Sequence, residues 1–504
     1  MKMNTTNEPK KTNSNKTSVA ISLPRLVLLA TTLVFNLQRA SAQNPELLKR
    51  NVIARVDSIE PLIEEMAIKL WDYAELALAE TRSADLLARK LDEAGFEIET
   101  NVADMPTAFV ATFGSGSPVV GILAEYDALP GVGNQAIAER KPRTDRISSG
   151  HGCGHNLFGA ASVGGAIALK QLMEAEGLKG TVKLFGTPAE ETVVGKVYMA
   201  KAGVFNGLDA VLEWHPGETN EVRNQPGRAM NSFEVEFFGQ AAHSSADPWN
   251  GRSALDAVEM MNYGVNMMRE HVKSTARIHY VIPHAGDAPN VVPEYAKVWY
   301  YVRDINRAEV TRYYDRILKI AEGAALATET THKVHLITGV YEYLLNRPLQ
   351  EALQKNLELV GAPRFTEAEQ EFARSLQRIT GKEEKGFNDK IKPLPDKPGE
   401  VEGGSTDVAD VSWIVPTAGF RMATAAEAVP WHSWATTACS GTRAGRKGAV
   451  VAAKVIATTG VDILTNPDLV KQAKAFFLEA TEGKPYQSPI PVDQKPPTAK
   501  AAEQ

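Results

Sequence analysis

The chain has 504 residues, of which 43% are hydrophobic and 23% charged, and a formal net charge of -6. That length exceeds what one hydrophobic core usually organises, so two domains are expected. The mild negative charge and the lack of a dense Lys/Arg stripe beyond the N-terminus argue against nucleic-acid binding.

The first segment reads as an export leader, assigned to residues 1–42. Lys2, Lys10, Lys11 and Lys16 precede an apolar stretch over 26–37, and Ala40-Ser41-Ala42 supplies the small residues a signal peptidase prefers. Cleavage would leave Gln43 first. An uncleaved anchor is the alternative, although the apolar run is short for a bilayer. Export makes the cysteine count informative, because the chain has only Cys153 and Cys439. A single disulfide is one reading. Metal ligation by Cys153, with Cys439 as a buried thiol, is favoured by the flanking His151 and His155 and by the turn that Gly152 and Gly154 allow.

Beyond the leader, apolar residues fall at helical spacing over 56–73 and 83–94, and strands are expected at 97–102, 108–113 and 119–123. A long helix rich in small residues follows over 155–176, then short apolar strands at 182–185 and 210–214. This alternation predicts a largely parallel or mixed sheet covered on both faces. Between Arg228 and about His335 the order is strand, helix, strand, strand, helix, strand, a ferredoxin-like split pattern. The organisation expected is a catalytic part over 45–227, an insertion over 228–337, a return to the catalytic part over 338–485 and a flexible tail over 486–504. The charged stretch 383–401 is expected to form a surface loop.

The chemistry sits in short motifs. His151-Gly152-Cys153-Gly154-His155-Asn156 brings imidazoles and a thiol together, Pro188-Ala189-Glu190-Glu191 adds paired carboxylates, and His215 follows in Trp214-His215-Pro216. Soft, nitrogen and oxygen donors at such spacing suit a transition metal. Asp127, Glu190, Glu191 and His215 each lie at or just past the end of an apolar strand. In an open α/β sheet those ends converge on one crevice. Asp127 suits a supporting role there, orienting a ligand imidazole rather than binding metal. His215 has the alternative of being a satisfied strand-end histidine, and the glutamate pair of being merely solvated.

These motifs, with Gly239 to Ser244 and Gly404-Ser405-Thr406-Asp407 in the same order, resemble the aminoacylase and carboxypeptidase G group of dinuclear metallopeptidases, in its cysteine-ligand branch. The resemblance covers nearly all of the chain after the leader. It implies an α/β two-domain metallohydrolase: a central mixed sheet flanked by helices, with an inserted ferredoxin-like α+β lid or dimerisation domain. It implies further that Cys153, His155, Glu191, His215 and His432 hold two divalent metal ions, manganese or zinc, and that Glu190 is the general base. His243 would stabilise the oxyanion in the active site of a second subunit, while Asn290 and Arg303 would contact a substrate carboxylate. Of the motif histidines, the family pattern makes His155 the ligand and leaves His151 to support the loop.

The activity so implied is hydrolysis of the amide of an N-acyl amino acid, with an aromatic acyl group and a p-aminobenzoyl-glutamate-like substrate as the leading reading. A general N-acyl-amino-acid deacylase or a dipeptidase would use the same centre. A non-catalytic binding protein would be expected to have lost a ligand or the base, and a redox protein would use Cys153 directly. A homodimer is expected through the insertion, with a heteromeric partner subunit as the alternative. Export departs from the intracellular setting of the nearest family members.

Overall fold

The computed structural model describes Pro9, residues 44–401 and residues 403–497. The leader expected over 1–42 lies outside the described residues but for Pro9. Three helices come first: α1 (Pro45–Ser58), α2 (Glu60–Tyr73) and α3 (Thr81–Glu93). The single helix expected over 56–73 is broken at Ile59, because Pro61 in the first turn of α2 has no N–H to continue the ladder from α1. Strands β1 (Glu97–Thr100), β2 (Phe109–Ser115) and β3 (Val119–Ala124) follow, then α4 (His155–Glu176), β4 (Gly180–Gly186), α5 (Gly195–Lys201), β5 (Ala210–Gly217) and β6 (Glu221–Val222).

A second sheet is then built from β7 (Ala229–Phe238), α6 (Ala254–Met268), β8 (Arg277–His284), β9 (Tyr295–Asp304), α7 (Arg307–Ala327) and β10 (Thr331–Val340). The chain returns through α8 (Arg347–Val360), α9 (Glu367–Ile379), α10 (Val408–Ser412), β11 (Thr417–Ala423), α11 (Trp434–Ser440), α12 (Arg443–Thr465) and α13 (Pro467–Ala480).

The larger sheet has the order β1-β2-β4-β3-β5-β11-β6. Its centre, β4-β3-β5-β11, is parallel throughout, and its flanking strands pair antiparallel. Strand β3 is buried from Val120 to Ala124, as expected of a strand with parallel neighbours on both sides and helices above and below. Helix α4 is buried around nearly its whole circumference and packs against both α2 and α12. The four-stranded sheet has the order β10-β7-β9-β8, all antiparallel. Strand β9 alternates buried and half-buried residues along its length. Its buried face meets α6 and α7, so both helices cover one side and the other side stays open. This is the mixed α/β architecture with a ferredoxin-like second sheet.

The stretch 383–401 is a largely exposed loop, as expected, and it and the tail are both held by specific hydrogen bonds. Within 383–401, Asn220 donates to the carbonyls of Asn388 (3.1 Å) and Lys390 (3.2 Å), and Asn224 donates to that of Lys397 (2.8 Å). The tail expected to be flexible from 486 is packed as far as it is described. The Tyr486 hydroxyl donates to Asp410 at 2.6 Å, Ile490 is buried, and the Gln494 amide bridges Tyr198 of α5 (2.8 Å) and the Leu336 carbonyl of β10 (2.5 Å). The composition is rich in proline and lysine, yet scattered side chains find partners on two elements distant in sequence.

Asp410 makes this anchor pH-sensitive. Burial raises its carboxyl to about 7, against hydrogen bonds from Tyr486 and the Tyr341 N–H that favour the ionised form. A raised folded-state pKa contributes stability that is fully present below the unfolded value near 4 and is lost as pH climbs through about 7. Asp410→Asn is therefore expected to gain stability relative to the parent between about pH 4 and pH 7, by at most ~1.4 kcal/mol per pH unit. Denaturant unfolding at a series of pH values measures the gap; a gap constant over that range contradicts the assignment.

Candidate metal centre

The carboxyl ends of β3, β4 and β5 bring four separate segments to one edge of the sheet. Glu125 and Asp127 follow β3, Glu190 and Glu191 follow β4, His215 lies near the end of β5, and His155 opens α4. Gly154 makes the convergence feasible. Its backbone is left-handed (φ 79°), and a Cβ there would sit 2.7 Å from the Pro216 side chain, so any other residue would push the Cys153 loop away from β5. His432 approaches from the loop before α11, its N–H donating to the Gly152 carbonyl at 3.2 Å.

Hydrogen bonds set the imidazoles. His155 Nδ1 lies 2.9 Å from Asp127 Oδ1, and the other Asp127 oxygen accepts the Glu191 N–H at 2.8 Å, so one carboxylate orients a ring and a loop together. His155 Nε2 then faces Glu125 Oε2 at 3.2 Å and Glu190 Oε2 at 3.9 Å. His215 Nδ1 donates to the Pro216 carbonyl at 2.7 Å, which leaves its Nε2 lone pair towards Cys153 Sγ, 3.5 Å away. His432 Nε2 is 3.5 Å from Glu191 Oε2. Three donor sets result, Cys153/His155/His215, Cys153/Glu191/His432 and Glu125/His155/Glu190, each with donor atoms within 4.8 Å of one another. Cys153 and His155 each belong to two of them, so the sets are contiguous.

The donors fit a cation. His155 Nε2, Glu125 Oε2 and Glu191 Oε1 are buried without a hydrogen-bond partner among the described residues. Each such atom costs ~1–3 kcal/mol unless something compensates, and a divalent ion would do so. Burial pushes the Cys153 thiol up and holds His215 well below the ordinary imidazole range. His215 is thus neutral, as a ligand must be, and a Cys153 thiolate needs a neighbouring cation. Cys153 and Cys439 are both free, which excludes the disulfide reading. His151 does not face the donors: its Nε2 meets the Leu70 carbonyl at 2.9 Å and its Nδ1 accepts the Asn156 N–H, so it braces the loop.

Further buried charges surround the centre. Lys196 of α5 is wholly buried, its Nζ 2.8 Å from Glu125 and 2.7 Å from Asp407, and its N–H donates to the other Asp407 oxygen. Burial raises Glu125 to about 8 and Asp407 to about 6. Glu80 accepts the Ala189 N–H at 2.8 Å, fixing the residue before Glu190 in a left-handed conformation (φ 59°). No local pattern marks a lysine in a short helix or a glutamate before α3 for such tasks. Asp407 carries a signal only through its place in the Gly404-Ser405-Thr406-Asp407 motif, and Glu125 only through its nearness to Asp127. Lys196→Met would strand two buried carboxyls. The expected cost is about 3 kcal/mol, at the lower end for a broken buried pair because one carboxyl can take up a proton. Denaturant unfolding checks this, and a loss below ~1 kcal/mol contradicts it.

The residues expected to bind substrate lie on the second sheet. His243 and Asn290 are neighbours, linked by a His243–Val291 bridge and by the Ser244 N–H donating to the Asn290 carbonyl at 3.1 Å. Both are beyond the Tyr295 end of β9. Arg303 lies at the opposite end, roughly 26 Å along the strand at ~3.3 Å per residue. It packs on Tyr301, with Nε 3.2 Å from the Met230 sulfur, and has no carboxylate partner among the described residues. Within one chain, therefore, Arg303 does not join His243 and Asn290 in a single cluster.

Comparison with known proteins agrees with this geometry. The model of peptidase family M20/M25/M40 matches residues 121–484. The chain is 37% identical over 457 residues to one of the subunits of the p-aminobenzoyl-glutamate hydrolase of Escherichia coli strain K12, covering 86% of this chain and 95% of that one. It is 28% identical over 452 residues to the Xaa-Arg dipeptidase of Mus musculus, covering 87% and 94%. Among solved structures, a dinuclear metal-binding peptidase of family M20 from Bacillus subtilis shares the fold with a TM-score of 0.54 at 21% identity, covering 81% of this chain and 99% of that one.

Proposed function

Because the chain belongs to peptidase family M20/M25/M40, and is thus a metallo-amidohydrolase, we propose that it hydrolyses the amide of N-acyl amino acids, a p-aminobenzoyl-glutamate-like compound being the leading substrate. The observation that carries the reading is the meeting of Cys153, His155, Glu191, His215 and His432 beside Glu190 at the ends of the central strands. We assign those five as ligands to two divalent ions, manganese or zinc, and Asp127 as the residue that orients His155. Bound there, the ions would supply a water of lowered pKa and an electrophile for the scissile carbonyl.

Glu190 takes the proton of the attacking water and returns it to the leaving amine nitrogen. Asp127 holds the His155 ring and the Glu191 backbone in register through the reaction. His243 of a second copy stabilises the oxyanion with Asn290 of that copy beside it, and Arg303 of the first copy, remote from that pair within one chain, joins Asn290 on the substrate carboxylate. An acting second copy makes a homodimer the economical assembly. The Escherichia coli relative is by name one subunit of its hydrolase, which supports a heteromeric assembly as the alternative. The leader features support export of a mature chain beginning at Gln43.

The purified mature protein, stripped of metal and reloaded separately with manganese and zinc, tests the reading against aromatic acyl-glutamates, aliphatic N-acyl amino acids and dipeptides. Restored turnover on the aromatic acyl-glutamates is expected. Absence of turnover on every compound with either metal contradicts it. Likeness to the mouse Xaa-Arg dipeptidase supports a second reading with the same centre and a cationic substrate side chain.

A further inference from the structure

Arg421 stands beside the metal centre with its charge unused. It pairs across parallel strands β11 and β5 with His215, and paired residues of neighbouring strands project from the same face. Its side chain runs over Gly217: a Cβ at that glycine would meet Arg421 Cβ at 3.1 Å and Cδ at 3.6 Å. The glycine thus leaves a channel for the arginine along the end of β5. The Trp431 ring is a further neighbour of His215, with ring centroids 6.4 Å apart.

The neighbouring acids are already committed. Glu213 pairs with Arg223 at 3.0 Å, and Glu221 pairs with Lys392 at 3.1 Å while accepting the Thr219 hydroxyl. Among the described residues Arg421 has neither an ion pair nor a side-chain hydrogen bond, though it is solvent-accessible. An exposed guanidinium beside the proposed metal ligand His215, with its own cross-strand acids engaged elsewhere, is a site that gains from an anion. Its planar fork matches a carboxylate.

We propose that Arg421 is a specificity-determining residue that binds the side-chain carboxylate of the substrate's amino acid, so that the enzyme selects N-acyl derivatives of acidic amino acids. The inference rests on the proposed amide hydrolysis and sharpens it. The α-carboxylate, common to all N-acyl amino acids, is assigned to Asn290 and Arg303, which leaves Arg421 for a further negative charge. The same cation repels an arginine side chain, so it separates a glutamate-type from an Xaa-Arg-type substrate.

The test compares kcat/KM of the metal-loaded protein for benzoyl-glutamate, benzoyl-glutamine and benzoyl-arginine, in the parent and in Arg421→Gln, Arg421→Lys and Arg421→Glu. The parent is expected to favour glutamate over glutamine by ~10–100-fold. Arg421→Gln should bring that ratio near unity, Arg421→Lys should restore part of it, and Arg421→Glu should raise the relative rate on benzoyl-arginine. Product inhibition of the parent by glutamate, and not by glutamine, is expected independently of how the variants fold. Turnover with an unchanged glutamate-to-glutamine ratio in Arg421→Gln, or equal inhibition by both products, overturns the role of Arg421 alone. No turnover of any of the three compounds by the parent overturns the amide-hydrolase reading and this inference together.

Discussion

Glu190→Gln is expected to lower turnover by about 10²–10⁴-fold while the bound metal stays at the parental level. Glutamine keeps the length and one carbonyl acceptor of glutamate but cannot take up a proton at neutral pH, so it removes base function with little change of shape. The loop that carries Glu190 is held independently of its side chain. Glu80 grips the Ala189 N–H, Asp127 grips the Glu191 N–H, and the Thr192 hydroxyl donates to the Ala189 carbonyl at 3.2 Å. The Glu190 side chain is thus the part of the loop that can be altered without moving Glu191. Atomic absorption on the variant, beside steady-state kinetics, checks both halves of the expectation. Near-parental turnover removes Glu190 from the role of base; lost metal would make it a ligand, as its membership in the Glu125/His155/Glu190 donor set allows.

Cys153→Ala is expected to have the complementary effect, losing metal first and activity in consequence. The thiol belongs to two of the three donor sets, so its removal takes a donor from each. Loss of an outer-shell partner alone typically costs 10–100-fold in metal affinity, and removal of a direct donor should cost at least ~100-fold. Competition with a chromophoric chelator measures it. The fold should survive, because Cys153 lies in the loop before α4 and the main core lies elsewhere, in the strands and in α2, α4 and α12. Unchanged affinity would remove the thiolate from the centre and leave its burial between two histidines without a function. The two residues thereby give opposite signatures: Glu190 changes rate without metal loss, and Cys153 changes metal content.

The site is legible in the sequence where its chemistry is carried by rare residue types in short motifs. A cysteine between two histidines and a glutamate pair after a proline mark candidate donors because a structural core seldom tolerates them, and the structure brings them to one edge of the sheet. The choice between His151 and His155 needs the family pattern; in the structure the two differ in surroundings, Asp127 and Glu125 flanking His155 while His151 turns to the Leu70 carbonyl. The second sheet is legible because its order of strands and helices is local in the chain.

What stays hidden depends on contacts between distant positions. Lys196 and Asp407 are 211 positions apart, and Glu80 and Ala189 are 109 apart, so neither pairing leaves a periodic trace. Arg421 is ordinary by composition and gains meaning only when β11 lies beside β5. The tail misleads for the opposite reason. Its composition fits a mobile segment, but Tyr486, Ile490 and Gln494 bind specific partners on the folded body.

The most direct measurement is X-ray absorption at the metal edge of the reloaded protein, together with metal stoichiometry. The arrangement predicts two ions per chain and one sulfur scatterer at a thiolate distance, ~2.3 Å for zinc, among nitrogen and oxygen neighbours, with the sulfur signal lost in Cys153→Ala. A spectrum of oxygen and nitrogen scatterers alone, unchanged by that substitution, would contradict a centre built on Cys153.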